Sequence, residues 1–242
     1  MRLIGFSTGA LAKGDFKQGI QLQRQRSIRA IELSALRYHE LEPLVSSVAS
    51  LDLSGFEHVS FHAPSRISRE NEESVLEMLK SLPLGWPIVV HPGIMFTPHL
   101  WRSLGARLCI ENMDSRKREG RTVAEIRSLF GLFPEATFCL DVGHARQVDP
   151  TMASAILMLT EHKDRLRQLH VSDIGPQGEH FPLGPLSKWA YGRIARRVPN
   201  RCPLIIESVV PASAIIREIE AVAAAFDPEK IREVRPVLSS AP

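Results

Sequence analysis

The amino-acid sequence predicts a single (β/α)8 barrel, the fold known as the TIM barrel. Eight short apolar runs alternate with longer segments of helical periodicity, which is the pattern of a parallel α/β protein. The chain has 242 residues, close to the roughly 250 typical of eight βα units. A doubly wound open sheet is the competing architecture, but the first apolar run is not followed by the Gly-rich phosphate turn expected there. Eight roughly even units favour a closed barrel.

The elements follow one another without a linker or a shift in composition. Strands are predicted over residues 3–7, 30–33, 58–62, 88–91, 108–111, 137–141, 168–171 and 204–207. Helices are predicted near 15–28, 39–49, 69–80, 97–104, 121–130, 150–163, 186–197 and 211–225. Thr122 with Glu125 forms a capping-box pattern, and Asp149 before Pro150 indicates a second helix start. We therefore predict one barrel domain over 1–227 and a C-terminal appendage over 228–242.

The composition is that of a globular protein, with 44% hydrophobic and 24% charged residues. A net charge of +3 is too small to indicate nucleic-acid binding. No apolar run is long enough for a membrane span, and the N-terminus lacks a signal-peptide pattern. The sequence has three cysteines, an odd number, and all of them lie in apolar runs: Cys109, Cys139 and Cys202. This predicts reduced thiols and a cytoplasmic protein. Because Cys109 and Cys139 precede Glu111 and Asp141 by two residues, we expect them one layer deeper, in the core.

Polar residues at the ends of the strands carry the functional signal. A single His or Glu at such a place is usually structural, but here seven of the eight strands end in or near one of these residue types: Glu32, His62, His91, Glu111, Asp141, His170 and Glu207. In a barrel the C-terminal strand ends converge on one mouth, where active sites are built. Converging carboxylates repel one another unless cations offset the cost, and carboxylate and imidazole are ligands of zinc and manganese. The pattern predicts a divalent-metal centre, with His144 and His180 just beyond the strand ends.

Seven motifs along the chain resemble those of a known superfamily. They are Phe-His-Ala-Pro (61–64), Val-His-Pro-Gly (90–93), Ile-Glu-Asn (110–112), Leu-Asp-Val-Gly-His-Ala (140–145), Leu-His-Val-Ser-Asp (169–173), Glu-His-Phe-Pro-Leu-Gly (179–184) and Ile-Glu-Ser (206–208). In this order they resemble the xylose isomerase-like barrel superfamily, which includes endonuclease IV (AP endonuclease family 2) and proteins described as sugar phosphate isomerases/epimerases. The resemblance spans the second to the eighth strand and does not single out one reaction.

The two branches of this superfamily imply different ligand sets. Resemblance to endonuclease IV implies one ion on His62, His91 and Glu111, a second on Glu111, Asp141, His170 and Glu207, and a third on His144 and His180. The third set normally includes an aspartate, and this sequence has Gly178 at that position. Resemblance to the isomerases implies one ion on Glu111, Asp141, His170 and Glu207, with both glutamates moving a proton and His144 and Asp173 in support. The cofactor is thus expected to be one to three ions of Zn, Mn or Mg.

Two enzymatic hypotheses and one binding hypothesis follow. A metal-dependent isomerase or epimerase of a small polyhydroxy or phosphorylated substrate would use Glu111 and Glu207 as acid and base, assisted by His144. A phosphoester hydrolase with two or three ions would use the additional histidines. A metal-stabilised binding module would catalyse neither reaction. Short loops and 6% aromatic residues argue against DNA binding. Cations after several strand ends would attract an anionic substrate, and we predict substrate contacts by Glu32, Arg66, Arg146 and Asp173. The sequence leaves open whether the protein forms a homo-oligomer.

Overall fold

Eight parallel strands close into a barrel in the computed structural model, which describes residues 2–26 and 28–227. Its strands are β1 (Ile4–Ser7), β2 (Ala30–Ser34), β3 (His58–His62), β4 (Ile88–Val90), β5 (Leu108–Glu111), β6 (Thr137–Asp141), β7 (Leu166–Val171) and β10 (Leu204–Ile206). Each pairs with its neighbours along the chain, and β10 closes the barrel between β7 and β1. A two-stranded antiparallel hairpin, β8 (Asp173–Ile174) with β9 (His180–Phe181), lies in the loop after β7. The predicted TIM barrel is confirmed.

Helices occupy the connections between the strands. They are α1 (Thr8–Ala12), α2 (Phe16–Arg24), α3 (Tyr38–Ser47), α4 (Glu72–Lys80), α5 (Pro98–Trp101), α6 (Val123–Leu132), α7 (Val142–Val148), α8 (Ala153–Glu161), α9 (Pro185–Gly192) and α10 (Ile215–Ala225). The Thr122–Glu125 capping box is present at the start of α6. The helix predicted from Pro150 begins instead at Ala153, because the Asp149 carboxylate accepts the backbone N–H groups of Thr151 and Ser154 and turns the chain. The predicted appendage over 228–242 lies outside the described residues.

The buried strand residues form two separate cores. Large side chains such as Phe6, Leu33 and Phe138 belong to one apolar cluster that includes residues of the surrounding helices. Val89, Cys109 and Cys139 form a small second cluster inside the barrel. The prediction that Cys109 and Cys139 are core residues is therefore confirmed.

Strand β1 approaches β2 very closely, and this explains its glycine. A Cβ atom on Gly5 would lie 1.7 Å from the backbone oxygen of Ala30. No side chain fits in that space without moving one strand, so glycine at this position lets the barrel close between β1 and β2.

Among the described residues, no helix combines the length and the apolar character needed to cross a bilayer.

Candidate metal centre

Four predicted ligands meet at the C-terminal mouth of the barrel. Ligand atoms of Glu111, Asp141, His170 and Glu207 all lie within 4.8 Å of one another. Their strands are neighbours in the barrel. Asp141 of β6 is paired with His170 of β7, and His170 is also paired with Ile205 of β10, which lies two residues before Glu207. The first three are almost fully buried, whereas 15% of the Glu207 side chain is exposed. Glu207 therefore borders the open mouth.

The Glu111 carboxylate lies between two pairs of imidazole rings. Its Oε2 atom is 3.2 Å from Nε2 of His62 and 3.1 Å from Nε2 of His91. Its Oε1 atom is 3.2 Å from Nδ1 of His170 and 3.4 Å from Nδ1 of His144. Each carboxylate oxygen of Glu111 thus faces two imidazole nitrogens. His62, Glu111 and His170 form a second group with the spacing of a metal site, and this group shares Glu111 and His170 with the first.

The electrostatics of this cluster fit a divalent cation. Burial, together with the charges of Glu207 and Glu111, raises the pKa of Asp141 to about 7. Its Oδ2 atom is buried and has no hydrogen-bond partner. Burial opposes protonation of His62, but the hydrogen bond and charge of Glu111 raise its pKa to about 9. Protons here balance negative charge that a cation would balance instead, so the donor set fits one or two divalent ions.

Glu32 lies beneath the metal centre and holds His170 in place. Its Oε2 atom accepts hydrogen bonds from His170 Nε2 at 3.1 Å, Gln168 Nε2 at 2.7 Å and Ser60 Oγ at 3.0 Å. The side chain is fully buried, which does not fit the predicted substrate contact. Both ring nitrogens of His170 face carboxylates, Nε2 that of Glu32 and Nδ1 those of Glu111 and Glu207, and a carboxylate only accepts hydrogen bonds. A cation at the mouth would replace the proton on Nδ1, whereas Glu32 would keep the proton on Nε2 and so orient the ring.

We expect Glu32→Gln to weaken metal binding by about 10- to 100-fold, the usual effect of removing a group that orients a metal ligand. The amide keeps the shape of the side chain but loses the negative charge that holds the Nε2 proton of His170. Competition with a chromophoric chelator measures the affinity. Ser60→Ala is the matched control, since it removes one hydrogen bond to the same oxygen and leaves the His170 contact intact. Equal losses in the two variants would contradict an orienting role.

The surroundings of His144 do not fit the third ion that the endonuclease IV resemblance implies. Its Nδ1 atom lies 3.0 Å from the Asn112 carbonyl oxygen and therefore donates a proton to it. The other nitrogen faces Asp114 at 4.0 Å, and the Asp114 carboxylate is already paired with Arg116 at 2.8 Å. The Arg116 guanidinium lies against Gly178, where a Cβ would collide with it. The cationic side chain of Arg116 thus occupies this part of the mouth, and residue 178 is a glycine and not the aspartate of the third ligand set.

The remaining predicted residues are distributed around the mouth. His180 contacts Ser172 Oγ at 2.9 Å and lies 3.5 Å from Glu207. Arg146 and Asp173, two of the predicted substrate contacts, form an ion pair with each other. Arg66 lines a cavity next to His91.

The sequence reasoning missed residues that position the ligands. Asn112 exchanges two hydrogen bonds with the Asp141 backbone, at 2.9 and 2.8 Å, and so ties the end of β5 to the end of β6. Asp114 is buried beside His144. Both lie within three residues of Glu111, and this closeness along the chain could have identified them. Gln168 is the third residue that was missed; it lies two residues before His170 and donates a hydrogen bond to Glu32.

Neither a protein-family model nor a curated protein matches the chain, but solved structures do. A xylose isomerase domain protein from Alicyclobacillus acidocaldarius is 11% identical, with a TM-score of 0.65 over 92% of this chain and 97% of that one. A xylose isomerase-like TIM barrel protein from Mycobacterium smegmatis, in complex with magnesium, is 13% identical, with a TM-score of 0.57 over 94% and 98%. This chain has the xylose isomerase-like barrel fold.

A further structural neighbour is the protein named SacUVDE. It is 12% identical, with a TM-score of 0.57 over 92% of this chain and 98% of that one. At these identities the likeness shows the fold and leaves the reaction to be argued from the site.

Proposed function

We propose that the protein is a divalent-metal-dependent enzyme that isomerises or epimerises a small sugar or sugar phosphate. One observation carries the proposal: Glu111, Asp141, His170 and Glu207 present their ligand atoms within 4.8 Å of one another at the barrel mouth. The magnesium in the Mycobacterium smegmatis neighbour supports a cation of this class.

The four residues divide into holding and reacting groups. A divalent ion held by them would supply Lewis-acid polarisation of a substrate carbonyl. Glu207 has the most exposed side chain of the four, so we assign it to remove and return the proton on the carbon beside that carbonyl. Glu111 is nearly fully buried against the histidines, and we assign it as the second glutamate of the proton transfer. His144 lies beside Glu111, and because its Nδ1–H is held by the Asn112 carbonyl, its Nε2 atom is the one left for a supporting role.

A second candidate function is phosphoester hydrolysis at two ions. The group formed by His62, Glu111 and His170 favours it, since an isomerase needs only one ion, held by the other group, and would leave the His62 imidazole without a role. The two candidates predict different ion counts. Elemental analysis of protein purified without a metal-chelating step should find one ion per chain for an isomerase and two for a hydrolase.

The chemistry is tested with metal-loaded protein in deuterated water. Incubation with a panel of aldoses, ketoses and their phosphates is expected to place deuterium on the carbon beside the carbonyl, and Glu207→Gln is expected to abolish this exchange. Glu220→Gln, on the exposed face of α10, is the matched control. Nicking of abasic-site DNA without exchange would favour the hydrolase, and neither activity in loaded protein would favour a binding module.

A further inference from the structure

A cavity of about 360 Å³ opens beside the candidate metal centre. One wall comes from residues 65–67, after β3, and the other from residues 117–119, after β5. His91 lines the cavity and also lies 3.1 Å from Glu111 Oε2. The volume falls within the range of small-molecule sites. A molecule in this cavity would therefore extend directly toward the metal ligands.

The cavity carries cations that the protein itself does not neutralise. Arg66, Lys117 and Arg118 line it, and within residues 2–26 and 28–227 none of the three forms an ion pair with a carboxylate. Three other cations near the mouth are paired: Arg37 with Glu40, Arg116 with Asp114 and Arg146 with Asp173. This difference separates the cavity from an ordinary charged surface, where cations and carboxylates are interspersed.

The charge of the cavity matches a dianion. Its three cations face a single lining carboxylate, that of Glu119, which leaves a net charge of +2. A phosphate monoester carries close to two negative charges at neutral pH and offers three acceptor oxygens. Arginine forks bind such oxygens in pairs, and the lysine adds a point charge. Ile94 and Met113 supply apolar surface next to the cations, against which a carbon skeleton can pack.

We propose that this cavity is an anion subsite for the phosphate group of a small phosphorylated substrate whose other end reaches the metal centre. The inference rests on the proposed function, because the metal centre provides the reacting end. It narrows that function from sugars in general to phosphate esters. It also assigns Arg66, Lys117 and Arg118 as the residues that recognise the phosphate.

The test titrates inorganic phosphate into the protein and follows binding by phosphorus NMR and calorimetry. Metal-stripped protein is used first, so that phosphate cannot bind an ion instead, and metal-loaded protein second. Saturable binding is expected in both. The Arg66→Ala/Arg118→Ala double variant is expected to weaken binding by at least about tenfold, the loss expected for charge-assisted hydrogen bonds at a solvent-exposed site. The Arg66→Lys/Arg118→Lys variant keeps both charges but loses the paired hydrogen bonds, and its affinity is expected to lie between those of the unaltered protein and the double alanine variant.

Lys17→Ala is the matched control, because Lys17 is an exposed cation that lines a different groove, on α2. Absence of saturable binding by the unaltered protein, or equal weakening by Lys17→Ala, would overturn the proposal. A short DNA duplex that binds more tightly than phosphate and depends on Arg66 and Arg118 would also overturn it, in favour of a nucleic-acid surface. Metal content is measured for every variant. Normal metal content without phosphate binding defeats only the subsite, whereas phosphate binding by a protein that takes up no metal on loading defeats only the metal-dependent function.

Discussion

A Glu111→Gln variant is expected to lose nearly all of its bound metal and all turnover. The glutamine side chain keeps the size of the glutamate, but it removes the charge that both groups of ligands share. Because loss of an orienting partner alone weakens metal binding by about 10- to 100-fold, loss of this shared ligand should have a larger effect. Elemental analysis after dialysis measures the metal content. His170→Ala should behave in the same way, since His170 also belongs to both groups.

Two further measurements separate this effect from general damage to the fold. Glu72 is a buried glutamate outside the metal centre that accepts hydrogen bonds from Trp101 Nε1 and the Thr97 backbone. Glu72→Gln should therefore lower the thermal stability but leave the metal content unchanged. In the metal-free Glu111→Gln protein, the pKa of His62 should fall from about 9, because its hydrogen-bond partner has lost its charge. Full metal content in Glu111→Gln would refute the assignment of the centre.

Metal affinity is expected to rise steeply with pH. In the metal-free protein the pKa of His62 is raised to about 9 by Glu111, and that of Asp141 is raised to about 7 by burial and neighbouring carboxylates. A cation must displace these protons, so it competes with them whenever the pH lies below the pKa. Each displaced proton lowers the apparent affinity about tenfold per pH unit. Between pH 9 and 7 the affinity should fall at least about tenfold per unit, and below pH 7 it should fall more steeply still.

Competition with a chelator at several pH values, corrected for protonation of the chelator, measures this slope. A His62→Gln variant should show a shallower slope between pH 7 and 9, because it has one proton fewer to displace. A control substitution at His99, which lies in α5 outside the candidate ligand groups, should leave the slope unchanged. A flat affinity from pH 6 to 9 would show that the buried histidines and carboxylates do not hold the ion.

The barrel was predictable because its strands are short apolar runs that end in polar residues. The predicted bounds of β3, β5 and β6 agree with the structure to the residue. Helix α7 was missed because Val-Gly-His after Asp141 has no helical periodicity. It forms because the Asp141 side chain accepts the His144 N–H at 2.7 Å and caps the helix. The hairpin of β8 and β9 was missed because two residues per strand are too few for a periodic signal.

The depth of each polar side chain was not predictable from its place at a strand end. Glu32 and His62 both end predicted strands, yet the register pairs Glu32 with Ser60 and Ser34 with His62. Glu32 therefore lies two residues lower in the barrel, where it contacts the His170 ring. The stagger between neighbouring strands sets this difference, and it arises only when the barrel closes.

The sequence by itself determined the barrel and the residue types at its mouth, because strand periodicity and polar strand ends are local properties of the chain. Only the tertiary structure decided which of these side chains share a site. Closure places Glu111 between two pairs of histidines, sets Glu32 below His170, pairs Arg146 with Asp173 and leaves Arg66 in an open cavity. Such partnerships depend on distances between strands that are far apart along the chain, and strand register and barrel stagger fix those distances.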